Sequence, residues 1–135
     1  MRDAILVLAL ALATPAMAQM SVSAGSGIAH DCYEDAKKPG RPMESIATCT
    51  AALDHGGLSP ADRAATLVNR GVLYDVLKNY QAAWADYNAA LRINPELGDG
   101  YINRGAALMR MQKSDEGIVD IRKGLALGTS LTLQP

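Results

Sequence analysis

Two stretches of this chain repeat one another at a fixed distance. Leu67-Val68-Asn69-Arg70-Gly71-Val72-Leu73-Tyr74 returns as Tyr101-Ile102-Asn103-Arg104-Gly105-Ala106-Ala107-Leu108, a shift of 34 residues. The same shift lays Ala83-Trp84-Ala85-Asp86-Tyr87 and Ala90-Leu91 on Gly117-Ile118-Val119-Asp120-Ile121 and Gly124-Leu125. Upstream, Ser45-Ile46-Ala47-Thr48-Cys49 and Ala52-Leu53 echo the second half of the unit at a shift of 38, and the connection Gly56-Gly57-Leu58-Ser59-Pro60 absorbs the four extra residues. A unit of this size is one supersecondary element that cannot bury its apolar side alone. Copies must therefore stack into an array with a continuous core.

Composition makes the units helical. Apolar residues are 49% of the chain but aromatics only 4%, and Phe is absent. A core of Ala, Leu, Val and Ile suits close-packed helices better than sheets. Ser59 before Pro60, with Asp62 following, reads as an N-cap, a first-turn proline and an acidic third position. Asn79 and Ser114 are further cap candidates, with Asp99 weaker. Gly56, Gly98 and Gly128 stand where helices should stop, and Pro95 blocks continuation of the helix before it. Helices are expected at 27–38, 42–55, 60–77, 80–93, 98–111 and 115–127. The fold class that follows is all-α, a short α-solenoid of three antiparallel helix hairpins.

On these residues the chain resembles the tetratricopeptide repeat (TPR) family, in the form of a small exported bacterial-type member. The family unit has the same length, with a large residue, Gly and Tyr in its first helix and Ala, an aromatic, Ala and Pro in its second. Residues 64–97 carry Leu67, Gly71, Tyr74, Ala83, Tyr87, Ala90 and Pro95 at those positions. Residues 98–131 keep Tyr101 and Gly105, with Gly117, Ile121, Gly124 and Thr129 at the remaining places. A degenerate first repeat, 28–59, matches only in its second half, and the TPR-like domain is taken as 28–135. The resemblance implies a module that binds a protein or peptide in the concave groove of its first helices.

Arg70 and Arg104 stand where that family usually has an apolar residue. Asp86 and Asp120 each follow 16 residues later, on the facing helix of the same hairpin. They are expected to pair across the hairpin as Arg70–Asp86 and Arg104–Asp120; solvated surface charges are the alternative. In the first hairpin the position of the arginines is taken by Cys32, with Cys49 one residue beyond the place of the aspartates. An even cysteine pair in an exported chain favours a disulfide, which would tie this hairpin instead; two buried thiols are the alternative. A metal set of His30, Cys32, Cys49 and His55 is disfavoured, because residues two apart on a helix point to nearly opposite sides.

Asn69 and Asn103 recur at the repeat distance, and the resemblance places such an Asn on the concave groove. An amide both donates and accepts, as an extended peptide backbone requires. Val68, Val72, Asp75, Val76, Ile102, Ala106, Met109 and Arg110 are expected to share that groove. Bonds from the Asn side chains to neighbouring helices are the alternative.

The start of the chain reads as an export signal. Arg2 precedes the apolar run Ala4–Ala13, and Ala16-Met17-Ala18 provides a small-x-small ending, so residues 1–18 are expected to be removed and 19–27 to form a flexible leader. Location is then periplasmic or secreted. A net charge of −1 argues against nucleic acid, and no later stretch is apolar enough to span a membrane after cleavage. No nucleophile context, phosphate loop or metal motif occurs, so neither an enzyme nor a cofactor is expected. Trp84 reads as packing rather than ligand stacking. Ile118, Val119, Ile121, Leu125 and Leu127 give the last helix more apolar surface than one neighbour covers. A homodimer through the C-terminal hairpin would cover it, with folding back of Leu131 and Leu133 as the alternative.

Overall fold

The computed structural model describes residues 24–55 and 57–128, so the expected export signal and the tail carrying Leu131 and Leu133 lie outside the described residues. Six helices follow one another: α1 (Ala24–Lys37), α2 (Pro42–His55), α3 (Pro60–Val76), α4 (Tyr80–Ile93), α5 (Gly98–Arg110) and α6 (Ser114–Leu127). They pack as three hairpins, α1 on α2, α3 on α4 and α5 on α6. Successive hairpins join through α2 against α3 and α4 against α5. The first helices also touch, α1 to α3 and α3 to α5, whereas the second helices of different hairpins do not. Unequal spacing of this kind curves the stack, with α1, α3 and α5 on its concave side.

Local chemistry accounts for several helix ends. Ser59 Oγ accepts the Asp62 backbone N–H at 3.1 Å, with Pro60 opening α3. Asn79 Oδ1 accepts the Ala82 N–H at 3.3 Å and caps α4. Helix α3 stops in a Schellman turn: the Asn79 N–H reaches Tyr74 O at 2.9 Å and the Lys78 N–H reaches Asp75 O at 2.9 Å. One repeat on, Lys113 N–H to Leu108 O and Gln112 N–H to Met109 O form the same pair of bonds. The residues in the left-handed region are Lys78 (φ 59°) and Gln112 (φ 63°), so neither stop carries the glycine that usually marks one.

Four sequence expectations are corrected. Ser114 is the first residue of α6, and Asp99 lies in the first turn of α5; Lys113 and Leu97 precede these helices without a side-chain cap. Acidic residues in both first turns favour the helix dipole instead. Gly98 starts a helix rather than ending one, and it is glycine for space, since a Cβ there would collide with the Gly128 carbonyl. Helix α1 begins at Ala24, inside the segment expected to be a flexible leader, since extending a nucleated helix costs little. Gly56 lies outside the described residues, while Gly128 (φ 85°) ends α6.

The main core joins Leu53, Ala64, Leu67, Val68, Ala83, Tyr87, Ala90 and Ala107. A second cluster holds Cys32, Cys49 and Leu73. Within the repeats, the packing differs at equivalent positions. A Cβ on Gly71 would lie 2.5 Å from the Tyr87 ring, so the aromatic fills the gap between α3 and α4. In the third hairpin Ile121 replaces that ring and the backbones close up instead. A Cβ on Gly117 would stand 2.6 Å from Gly105 O, and one on Gly124 would stand 2.6 Å from Gly98 O.

Candidate functional site: the concave face of the first helices

Between its two helices, each hairpin is tied across by its own device. Arg70 donates from Nε and Nη2 to both carboxylate oxygens of Asp86, each at 2.8 Å. Arg104 does the same to Asp120 at 2.6 and 2.8 Å. Each guanidinium has a third contact that the sequence reading missed. Arg70 Nη1 reaches Thr50 Oγ1 at 3.0 Å, and Arg104 Nη1 reaches Asn88 Oδ1 at 2.8 Å. Thr50 and Asn88 sit 38 residues apart, the offset that relates the first two second helices, and a polar acceptor recurring there was the available signal. These bonds to the aspartates raise both guanidinium pKa values against the opposing effect of burial, so the arginines stay charged. In the first hairpin Cys32 and Cys49 are bonded, with Sγ–Sγ 2.14 Å and Cα–Cα 4.9 Å.

Two clefts open on the concave side. The first, between α1 and α3, is lined by residues including His30, Tyr33, Asp62, Thr66 and Asn69. The second, between α3 and α5, is lined by Val72, Asp75, Val76, Asn103, Ala106 and Arg110, with Tyr87 at its base. The two asparagines therefore occupy successive clefts on one face, and neither side chain has a hydrogen-bond partner among the described residues. Six of the residues expected in the groove meet in the second cleft.

Three others do not. Val68 is buried in the main core. Ile102 leans on Gly124 and Met109 on Gly117, both toward α6, because those glycines leave room for a side chain from α5. The family resemblance located the groove for all three, and it does not say how closely the next helix approaches. It also missed Tyr87, whose phenol donates to Asp75 Oδ2 at 2.7 Å. Burial raises the Asp75 pKa, opposed by the Tyr87 hydrogen bond and the charge of Arg110.

Trp84 is half-buried in a convex cleft with Arg104, Leu108, Glu116, Val119 and Asp120. Among the described residues no group of three or more metal-ligating side chains occurs, and no helix is long and apolar enough to cross a membrane.

Three helix hairpins stacked with their first helices inside make this a TPR fold. The chain is similar to the solved first TPR domain of Spaghetti bound to the HSP90 peptide SRMEEVD, with 27% identity and a TM-score of 0.68, covering 77% of this chain and 79% of that one. The second TPR domain of Spaghetti, bound to the same peptide, shares the fold at 21% identity and a TM-score of 0.69, covering 78% and 93%. In sequence it is similar to the ER protein translocation subcomplex subunit sec67 of Schizosaccharomyces pombe, 28% identical over 114 residues. That match takes in 84% of this chain, which spans 59% of the relative's length. The resemblance is thus not confined to bacterial proteins. No protein-family model matches the chain.

Proposed function

We propose that this protein is an exported interaction scaffold that holds an extended segment of a protein partner in its concave groove and has no chemistry of its own. One observation carries the reading: the Asn69 and Asn103 amides recur on that face, each in a cleft and each without a hydrogen-bond partner among the described residues. An extended peptide offers alternating N–H and C=O groups, which a primary amide can match as donor and acceptor. The first Spaghetti domain, similar in fold and sequence, was solved with a peptide bound. The disulfide and the signal-like start support a periplasmic or secreted site of action. Crosslinking and pull-down from the native envelope identifies the partner. Asn69→Ala combined with Asn103→Ala should then weaken its binding while leaving helix content unchanged, and unchanged affinity would remove the asparagine pair from the account.

A second reading is favoured by the similarity to a subunit of an ER translocation subcomplex. Here the protein is an accessory subunit of an envelope secretion or transport assembly, docking its neighbours by several faces. Helix α6 supplies such a face: Val119 and Leu125 are 65% and 64% exposed, flanked by exposed Ile118 and Leu127. A symmetric dimer through the C-terminal hairpin covers that surface most simply. Light scattering at low and high concentration tests it, and a strict monomer at both rules it out.

A further inference from the structure

The second concave cleft holds a carboxylate that the fold leaves half satisfied. Asp75 Oδ2 accepts the Tyr87 phenol, but Oδ1 is buried and has no hydrogen-bond partner among the described residues. Arg110 Nη1 lies 3.7 Å from that oxygen, near enough to attract it and too far to donate to it. The Arg110 guanidinium rests over the Tyr80 ring, 5.6 Å from its centroid, at the rim of the cleft. A buried acceptor without a donor is costly, and the strongest remedy is a charged donor. The space at hand is about 330 Å³. One water needs only about 30 Å³, so a ligand side chain fits there.

The charges of the groove point the same way. Among the residues lining the two concave clefts, the carboxylates are Asp62 and Asp75, and the guanidinium of Arg110 is the one permanent cation. An acidic segment such as SRMEEVD, the peptide in the Spaghetti complexes, would bring its carboxylates against both aspartates. It would meet a single arginine already drawn to Asp75.

Resting on the groove reading above, we infer that the cleft between α3 and α5 takes a lysine or arginine side chain of an extended peptide, with Asp75 Oδ1 as its acceptor and the Asn103 amide beside it for the peptide backbone. The groove then selects segments that carry a basic side chain and rejects acidic ones.

Panning a random heptapeptide library on the full, oxidised chain tests this. Recovered peptides should share a Lys or Arg at one position, bind the Asp75→Asn variant about ten-fold more weakly, as expected for loss of one charge-assisted bond, and bind Arg110→Gln no more weakly than the parent. The two variants exert opposite effects only if the ligand is cationic, so Arg110→Gln decides the matter should Asp75→Asn fail to fold. Acidic or neutral peptides, or basic ones weakened by Arg110→Gln or indifferent to Asp75→Asn, would overturn the inference; if Asn103→Ala still weakens them, the groove reading survives. Recovery of no peptide, or of peptides indifferent to Asn69→Ala and Asn103→Ala, would overturn both.

Discussion

Arg70 meets Asp86 through two 2.8 Å hydrogen bonds that match the fork of the guanidinium to the two oxygens of the carboxylate. Neither side chain is at the surface, with 19% of the arginine and 10% of the aspartate exposed. With Thr50 the guanidinium joins α2, α3 and α4, so the pair fastens a hairpin and its neighbour together. Removing one partner of such a pair strands a buried charge, at a cost of about 3–5 kcal/mol. Asp86→Ala should lose roughly that much stability in urea unfolding. The double variant Arg70→Met with Asp86→Leu should recover most of it, because no charge is left unpaired. A loss below about 1 kcal/mol for Asp86→Ala would make the pair equivalent to a surface ion pair.

Cys32–Cys49 should be formed in the exported protein, with no thiol titrating in the native, non-reduced state. The bond spans 17 residues, and closing a loop of that size is worth about 3 kcal/mol on the chain-entropy account. Cys49→Ser should lower the melting temperature accordingly. Hydrogen exchange should rise first in α1, which among the described elements touches only α2 and α3. A full thiol titre, or a loss of protection spread evenly over all six helices, would contradict this.

Gly117→Ala should destabilise by about 1–3 kcal/mol, the usual cost of over-packing. The new methyl would press on the carbonyl of Gly105, backbone that cannot turn aside. The equivalent position one repeat earlier already holds Ala83, fully buried, where Tyr87 spaces the helices apart. Adding an aromatic with Ile121→Tyr to the glycine variant should not rescue it, since Gly124 against the Gly98 carbonyl still holds α5 and α6 too close for the ring. Thermal unfolding of the single and double variants reads the difference.

Asp75 makes the pH dependence. Its folded pKa is raised, chiefly by burial, so the folded state holds this proton more readily than the unfolded chain does. The group therefore opposes folding above its folded pKa and ceases to do so as the pH falls through that value to below the ordinary carboxylate pKa of about 4. Asp75→Asn does not titrate. The melting temperature of the variant relative to the parent should fall as pH is lowered from 7 toward 3.5, while the other carboxylates act on both alike. A difference that stays constant, or grows as pH drops, would show that the folded protein does not disfavour the Asp75 charge.

Repetition is a property of sequence, and the spacing of 34 residues carried the number of hairpins, their order and the helices to within a few residues. Arg70 with Asp86, and Arg104 with Asp120, were legible for the same reason: a fixed separation on two facing helices places charges opposite one another. Asn69 and Asn103 were assigned to the concave face by their recurrence and the family resemblance. What recurrence does not contain is the distance between neighbouring helices. That distance depends on the sum of facing side chains, so Tyr87 against Gly71 and Gly117 against Gly105 give two hairpins of one pattern different packing. The approach of α6 drew Ile102 and Met109 out of the groove, and the stacking of whole hairpins put Val68 into the core. The same packing aimed the Tyr87 phenol at one oxygen of Asp75 and left the other without a donor among the described residues, because contacts between helices are fixed only once every helix has found its depth.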